Sequence, residues 1–195
     1  MTVTSTRPPR ETVRAGILAA AEHAFLAHGY VRSSLSEIAA AAGFTKGAVY
    51  SNFGGKPELL SAVCAAHIEA IAASVIGTLS ATDSIDLGAR ALADQLTGSS
   101  AWPELWVEFR GLAAHDEGVR AAYGELRSRL RGDLERQLRD NADRLTLPPD
   151  TDFAVAATLL LTVANGLALE HAAAPAAMPR ELIERCLAQL IGGLR

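Results

Sequence analysis

Residues 34–56, SLSEIAAAAGFTKGAVYSNFGGK, determine how the N-terminal part of this chain folds. Ser34 is followed three residues later by Glu37, an arrangement in which each side chain accepts a hydrogen bond from the other residue's backbone amide. Such a pair begins a helix. Gly43 is placed to end that short helix, and Thr45 is placed to cap a second one. Two short helices joined by a glycine turn predict a helix-turn-helix.

We therefore expect residues 34–53 to bind DNA, because the second helix of this motif enters the major groove by its N-terminal end. The small residues Gly47 and Ala48 allow close approach to base edges, and Lys46 is able to reach a guanine or a phosphate. Hydroxyl and amide side chains nearby suit phosphate oxygens. The predicted DNA contacts are Arg32, Ser33, Ser34, Thr45, Lys46, Gly47, Ala48, Tyr50, Ser51, Asn52 and Lys56.

The distribution of charge agrees with a DNA-binding N-terminus, although the whole chain carries a net charge of −4. Residues 1–60 hold six basic and four acidic side chains, a net charge of +2, which leaves −6 for the remainder. The only two lysines, Lys46 and Lys56, both lie in the segment quoted above. Residues 1–10 have no apolar periodicity and are predicted to be a flexible basic arm that becomes ordered on binding.

Composition predicts an all-α fold, since apolar residues make up 49% of the chain and aromatic residues only 5%. Apolar residues recur at helical spacing from Thr12 to Gly29 and again from Pro57, which is placed as the first residue of a long fourth helix. Glu125 with Arg129, and Glu135 with Arg139, are predicted to pair at i, i+4 on a later helix. The later helices are predicted near residues 85–96, 102–114, 116–143, 151–172 and 179–191. About nine helices result, divided into a DNA-binding domain at 11–56 and a ligand-binding and dimerisation domain at 57–195.

We recognise no secretory signal, and the two cysteines are too few for a disulfide framework, so we expect a cytoplasmic protein. The uncharged run Phe153 to Leu169 is diluted with Ala, Thr, Asn and Gly. It is predicted to be a buried helix and not a membrane span.

The stretch GYVRSSLSEIAAAAGFTKGAVYSNFGGKPELL, residues 29–60, resembles the DNA-binding module of the TetR (tetracycline-repressor) family. It matches the usual run of Ile-Ala, Ala-Gly, a hydroxyl residue, Lys-Gly, Tyr, Phe, Lys and Leu-Leu. The resemblance implies that Ile38, Ala39 and Phe53 are structural. It also implies DNA contact at seven of the positions named above: Ser34, Thr45, Lys46, Gly47, Tyr50, Asn52 and Lys56. Asn52 departs from the pattern, because many relatives carry His there.

The resemblance continues more weakly through residues 105–109 and 158–170 and implies a homodimeric repressor that a small molecule releases from DNA. The helices near 151–172 and 179–191 would form the dimer interface. A two-fold dimer predicts an operator that is an inverted repeat. Nothing in the sequence sets the sign of regulation, so an activator stays open.

An effector pocket is predicted in the C-terminal domain for an apolar or aromatic molecule. Trp106 and Phe109 cluster in a chain with few aromatic residues, and either a pocket or core packing explains them. Trp102 opens its helix and is predicted to be packing or surface, whereas Asn165 needs a partner in a very apolar helix. The candidate pocket residues are His67, Ile71, Trp106, Phe109, Tyr123 and Asn165.

Other classes of function have weaker support in the sequence. Cys64 and His67 could be half of a metal site completed by His115 or His171, but no tight cluster supports this and no metal or cofactor is predicted. Phosphate-binding loops, dinucleotide turns, nucleophile elbows and zinc-protease helices do not occur, so no catalytic residue or enzyme activity is predicted. A helical carrier or interaction protein would leave residues 34–56 unexplained.

Overall fold

A computed structural model describes residues 8–82, 84–98 and 101–193, and all regular secondary structure in those ranges is helical. The prediction of an all-α protein is confirmed. The helices in the described ranges are α1 (Arg10–Arg32), α2 (Leu35–Ala41), α3 (Lys46–Phe53), α4 (Lys56–Thr82), α5 (Ile85–Thr97), α6 (Ala101–Ala113), α7 (Glu117–Asp140), α8 (Phe153–Ala173) and α9 (Arg180–Gly192).

The predicted boundaries agree with these helices to within a few residues. The largest differences occur at helix ends: α1 continues to Arg32, although Gly29 leaves the helical conformation with φ 78° and ψ 168°. Helix α7 ends at Asp140, where a series of turns begins. Thr146 in these turns has φ 54°. Most of the predicted N-terminal arm, residues 1–7, lies outside the described residues.

The chain divides into two compact units. The first consists of the described residues up to Cys64 together with Glu108–Tyr123, and the second of Ala65–Val107 together with the described residues from Gly124 onward. The functional division at residue 56, between DNA binding and ligand binding, stays a prediction.

The core of the first unit fixes α3 in place with few of its own side chains. Ile17, Ala21 and Phe25 recur every four residues on α1 and are at most 1% exposed. Helices α1, α2 and α3 contact one another, and Val49 is the buried residue of α3, with no exposed surface. Burying a side chain of that size stabilises the fold by about 1.5–3 kcal/mol. Lys46, Gly47, Tyr50 and Ser51 of α3 are exposed and remain available for a partner.

The second unit packs α5 against α9 through small residues. Ala89 and Ala93 of α5 meet Ile183 and Leu187 of α9, and all four are fully buried. A separate cluster joins Leu138 of α7 to Ala156 and Ala157 of α8. Alanine on one helix lets the backbone of the other approach closely, so α5 and α9 pack together at this cluster. These contacts fix the helices that surround the cavity described below.

Helix α8 is less buried than the sequence predicted. Ala156, Ala157 and Ala168 are buried, but Val155 and Leu159 are 52% and 42% exposed. Helix α8 and the Lys56–Thr78 part of α4 are long and apolar enough to cross a membrane by length and composition alone, with mean hydropathies of 1.7 and 1.9. Only 17% of the apolar stretch in α8 is buried within the chain. An uncovered apolar face is thus the main departure from the expected buried helix.

Candidate DNA interface and ligand cavity

Helix α2 begins with the capping box that the sequence predicted. The Glu37 amide donates to Ser34 Oγ at 3.2 Å, and the Ser34 amide donates to Glu37 Oε2, also at 3.2 Å. Ser34 Oγ also donates to the same carboxylate at 2.7 Å, and these hydrogen bonds lower the pKa of Glu37. The box fixes the start of the first helix of the motif.

Helix α3 presents a polar, exposed N-terminal end. Thr45 Oγ1 accepts from the Ala48 amide at 3.3 Å, which caps the helix. Lys46, Gly47, Tyr50 and Ser51 are exposed, Tyr50 by 49%. The Lys46 ammonium lies 5.7 Å from the centroid of the Tyr50 ring. The exposed end of α3 therefore carries the ammonium of Lys46, the phenol of Tyr50 and the hydroxyl of Ser51 beside Gly47, which has no side chain. This combination suits a helix that enters a groove of DNA.

Ser33 has a different place from the one predicted. Its side chain was expected to contact DNA, but the residue is only 5% exposed. Its hydroxyl donates to the Gly29 carbonyl at 2.7 Å and lies 3.2 Å from the Ala24 carbonyl. The hydroxyl of Ser33 therefore stabilises the bent end of α1 through its contacts with backbone carbonyls. The prediction that this side chain contacts DNA is corrected.

Asn52 also turns toward its own helix. Its Nδ2 donates to the Ala48 carbonyl at 2.8 Å, and its Oδ1 is buried without a hydrogen-bond partner among the described residues. A contact from this amide to a phosphate would require the side chain to rotate. The sequence departure at Asn52 thus coincides with a side chain directed inward.

Lys56 and Arg32 lie beside the bent end of α1. The Lys56 ammonium lies 4.2 Å from the centroid of the Tyr30 ring and donates to the Val31 carbonyl at 3.4 Å. Desolvation lowers the pKa of Lys56. Arg32 is exposed, and its Nε donates to the His28 carbonyl at 2.8 Å. Both cations remain candidates for phosphate contact, with Lys56 the more enclosed.

Two arginines that the sequence pattern did not select lie against α3. Arg10 Nη2 donates to the Ser51 carbonyl at 3.4 Å, and the Arg14 guanidinium lies 4.4 Å from the centroid of the Phe53 ring. Both residues are exposed. The feature of the sequence that could have identified them is their spacing of one helical turn within the basic N-terminal segment.

The second unit contains a partly open cavity of about 240 Å³ whose wall is formed mainly by aliphatic and aromatic side chains of α4 to α8. Four of the predicted pocket residues line it: His67, Ile71, Trp106 and Asn165. The other two, Phe109 and Tyr123, belong to the first unit. Phe109 is fully buried, with its ring edge-on to that of Tyr123 at 5.2 Å between centroids. Phe109 and Tyr123 thus pack with each other, and a role for them in effector binding stays a prediction.

Trp102 lines the cavity, although its position at the start of α6 predicted packing or surface. Its ring stacks on that of His67, with 3.6 Å between centroids and 6° between planes. Burial lowers the pKa of His67 to about 4, so the imidazole is neutral at pH 7. The stack gives the cavity a flat, uncharged wall. Only packing of α4 on α6 brings these two residues together.

Cys64 and His171, which the sequence offered as candidate metal ligands, lie in environments that do not favour a metal ion. Burial raises the pKa of the Cys64 thiol to about 12, which disfavours the thiolate that metals bind. His171 Nδ1 lies 2.9 Å from the Met178 carbonyl oxygen. Within the described residues, no group of three or more His, Cys, Asp or Glu side chains is placed to hold a metal ion.

A capped helix-turn-helix with an exposed basic recognition helix defines the first unit as that of a DNA-binding transcriptional regulator. Comparison with protein families names the group. The family of "Bacterial regulatory proteins, tetR family" matches residues 17–63, and "BetI-type transcriptional repressor, C-terminal" matches residues 82–195. The chain belongs to the TetR family of transcriptional regulators.

Individual relatives agree with this assignment. The HTH-type transcriptional regulator TtgR of Pseudomonas putida is 43% identical over 61 residues, which cover 31% of this chain and 29% of TtgR. The match therefore spans less than a third of that curated relative.

Solved structures share the fold over nearly the whole chain. A TetR-family regulator from Rhodococcus sp. has a TM-score of 0.73 at 17% identity, covering 94% of this chain and 98% of its own. The structure of SmeT in complex with triclosan has a TM-score of 0.57 at 23% identity, covering 93% of this chain and 90% of its own.

Proposed function

We propose that this chain is a repressor that binds an inverted-repeat operator as a homodimer and releases it when a small molecule occupies the cavity. The observation that carries the proposal is that one chain combines an exposed, basic recognition helix with an apolar cavity in a separate compact unit. A pure DNA-binding module has no use for such a cavity. A pure carrier has no use for the recognition helix.

DNA recognition rests on the exposed end of α3. Lys46 and Tyr50 are the side chains best placed to contact DNA, because they are exposed on the helix that Val49 anchors. Arg10, Arg14 and Arg32 add positive charge that attracts phosphates without reading sequence.

Release by a ligand is proposed to act through α4, which continues without interruption from Lys56 to Thr82. The same helix carries the cavity-lining residues His67 and Ile71. A ligand that prefers one orientation of this helix would change the separation of the two recognition helices in a dimer, and so lower operator affinity. The triclosan complex of SmeT supports a small apolar molecule as the kind of effector.

Dimerisation is proposed to occur through α8 and α9. Val155, Leu159, Thr162 and Gly166 follow the spacing i, i+4, i+7, i+11 and so share one face of α8. The first three are exposed, and a side chain added at Gly166 would meet nothing within 4 Å in the chain. This exposed apolar face, with family membership, supports a second copy of the chain as its cover.

The proposal is tested by fluorescence anisotropy of purified protein on the DNA upstream of its own coding region, at two salt concentrations. Lys46→Ala and Tyr50→Ala should each weaken binding at least about tenfold. Lys46→Ala should also reduce the slope of log affinity against log salt concentration by about one, because one phosphate-binding cation is removed. Arg131→Ala is the matched control, because Arg131 is an exposed arginine on α7.

The role of α3 in DNA recognition would be overturned if Lys46→Ala and Tyr50→Ala bound as tightly as the unaltered protein. The comparison is made both on this DNA and on sites selected from random sequence. A compound that raises the melting temperature and lowers operator affinity would support release. If compounds that stabilise the protein leave operator affinity unchanged, the release mechanism fails while DNA binding stands.

A further inference from the structure

The cavity has an uneven balance of charge. Its wall includes two acidic side chains, Glu69 and Asp133, and two arginines, Arg127 and Arg144. Both acidic side chains are already paired with arginines. The Arg129 guanidinium bonds the Glu69 carboxylate and lies 3.7 Å from that of Asp133. Arg136 forms a further ion pair with Asp133. The acidic groups are therefore neutralised by side chains of the protein itself.

Pairing of Arg129 with Glu69 was not predicted from the sequence, which placed Arg129 opposite Glu125. The difference matters for the cavity. A free Glu69 would favour a cationic ligand, whereas an engaged one contributes little net charge.

Arg127 is the charged group of the wall that keeps no partner within the part of the chain that the structure describes. It lines the cavity, is half-buried, and makes neither a hydrogen bond nor an ion pair with any described residue. A guanidinium stays charged at all relevant pH values and offers parallel donors that match a carboxylate or sulfonate. Partial burial strengthens its attraction for an anion relative to that of a fully solvated arginine.

The rest of the wall supplies apolar surface and neutral polar groups. Trp102, Trp106 and the aliphatic side chains of α4 and α8 give the apolar part, and Asn141 and Asn165 give neutral amides. His67 adds no charge near neutral pH, because burial lowers its pKa to about 4. A ligand that satisfies all these groups has a flat or extended apolar body and one negative charge.

We propose that the cavity binds an apolar organic anion, such as an aromatic or long-chain carboxylate, whose charged group pairs with Arg127 while its body lies against the Trp102–Trp106 wall. This inference rests on the proposed function, because it names the chemical class of the effector for the same cavity.

Two dyes with one ring system isolate the charge. 8-Anilinonaphthalene-1-sulfonate is anionic, and N-phenyl-1-naphthylamine is the same molecule without the sulfonate. We expect the full-length protein to bind the anionic dye more tightly in fluorescence titrations. Arg127→Met should weaken the anionic dye about tenfold and leave the neutral dye unchanged, since it removes one charge-assisted pair. Decanoate should displace the anionic dye better than 1-decanol does.

Arg131→Met is the matched control, an exposed arginine one turn further along α7 that does not line the cavity. Ala164→Phe, which fills the cavity, should weaken both dyes and so place them there. Circular dichroism melting curves establish that each variant is folded.

Equal effects of Arg127→Met on both dyes, or tighter binding of the neutral dye by the unaltered protein, would overturn the preference for anions and leave the cavity as a binding site. Failure of both dyes to bind, or dye binding that Ala164→Phe leaves unchanged, would overturn the binding site itself and with it the ligand-release part of the proposed function. Loss of DNA binding in the anisotropy experiment is independent of either result.

Discussion

The carboxylate of Glu108 accepts a hydrogen bond from the backbone amide of Tyr30 at 2.7 Å, although 78 residues separate them in the chain. Its second oxygen accepts from the next amide, that of Val31, at 3.0 Å. Gly29 immediately precedes this pair and takes φ 78°, which frees both amides from the helical pattern of α1. A carboxylate on α6 thus satisfies backbone donors that the bend in α1 exposes.

We predict that Glu108→Gln destabilises the protein by about 1–3 kcal/mol, because the new amide group has only one oxygen for two backbone donors. Urea denaturation measures the free energy of unfolding. Glu104→Gln, at an exposed carboxylate on the same helix, is the control and should change it little. If both variants unfold at the same urea concentration as the unaltered protein, the bend in α1 does not depend on Glu108.

Alanine at Gly29 should destabilise the protein more than alanine at Gly43. Both glycines have positive φ, 78° and 75°, so both substitutions carry a backbone penalty of about 1 kcal/mol or more. A Cβ at Gly29 would also lie 3.0 Å from Glu108 Oε2, whereas one at Gly43 would meet nothing within 4 Å. Thermal unfolding of the two variants compares the costs, and a lower melting temperature for Gly43→Ala would contradict the expectation.

Substitution on the exposed face of α8 should produce monomers. Val155→Glu places a charge on the proposed interface. Gly166→Leu places a bulky side chain at a position where an added Cβ would meet nothing within 4 Å in the chain. Sedimentation velocity should report a dimer for the unaltered protein and a monomer for each variant. Arg131→Glu, at an exposed arginine of α7 and so outside the two helices of the proposed interface, is the control and should remain dimeric. Dimers in all four proteins would place the interface elsewhere.

His67 should make stability depend on pH. Its pKa is about 4 in the folded protein because of burial, below about 6.5 in an unfolded chain. The unfolded state therefore takes up more protons between these values, and the free energy of unfolding falls as the pH drops from about 6.5 to about 4, by up to about 1.4 kcal/mol per pH unit.

His67→Phe keeps a ring to stack on Trp102 and removes the titrating group. We expect its urea stability to decline less than that of the unaltered protein over this pH range, while the carboxylates titrate alike in both. Parallel pH profiles would show that His67 is not the group responsible.

The sequence by itself determined the helix-turn-helix and the order of the helices. Ser34 with Glu37, the turn at Gly43 and the cap at Thr45 act through hydrogen bonds between residues within a few positions of each other, so their effect can be read from local order. Apolar periodicity likewise located α4 to α9 to within a few residues. Family membership followed from the same segment, whereas the domain division and the individual DNA contacts stay predictions.

Tertiary structure alone decided which side chains meet across helices. It buried Ser33, stacked Trp102 on His67, paired Arg129 with Glu69 and left Arg127 without a partner in the described part of the chain. It also placed the ring of Phe109 edge-on to that of Tyr123. Local sequence fixes the direction of a side chain on its own helix, but its neighbours depend on how distant helices cross, and that is set by the packing of the whole core.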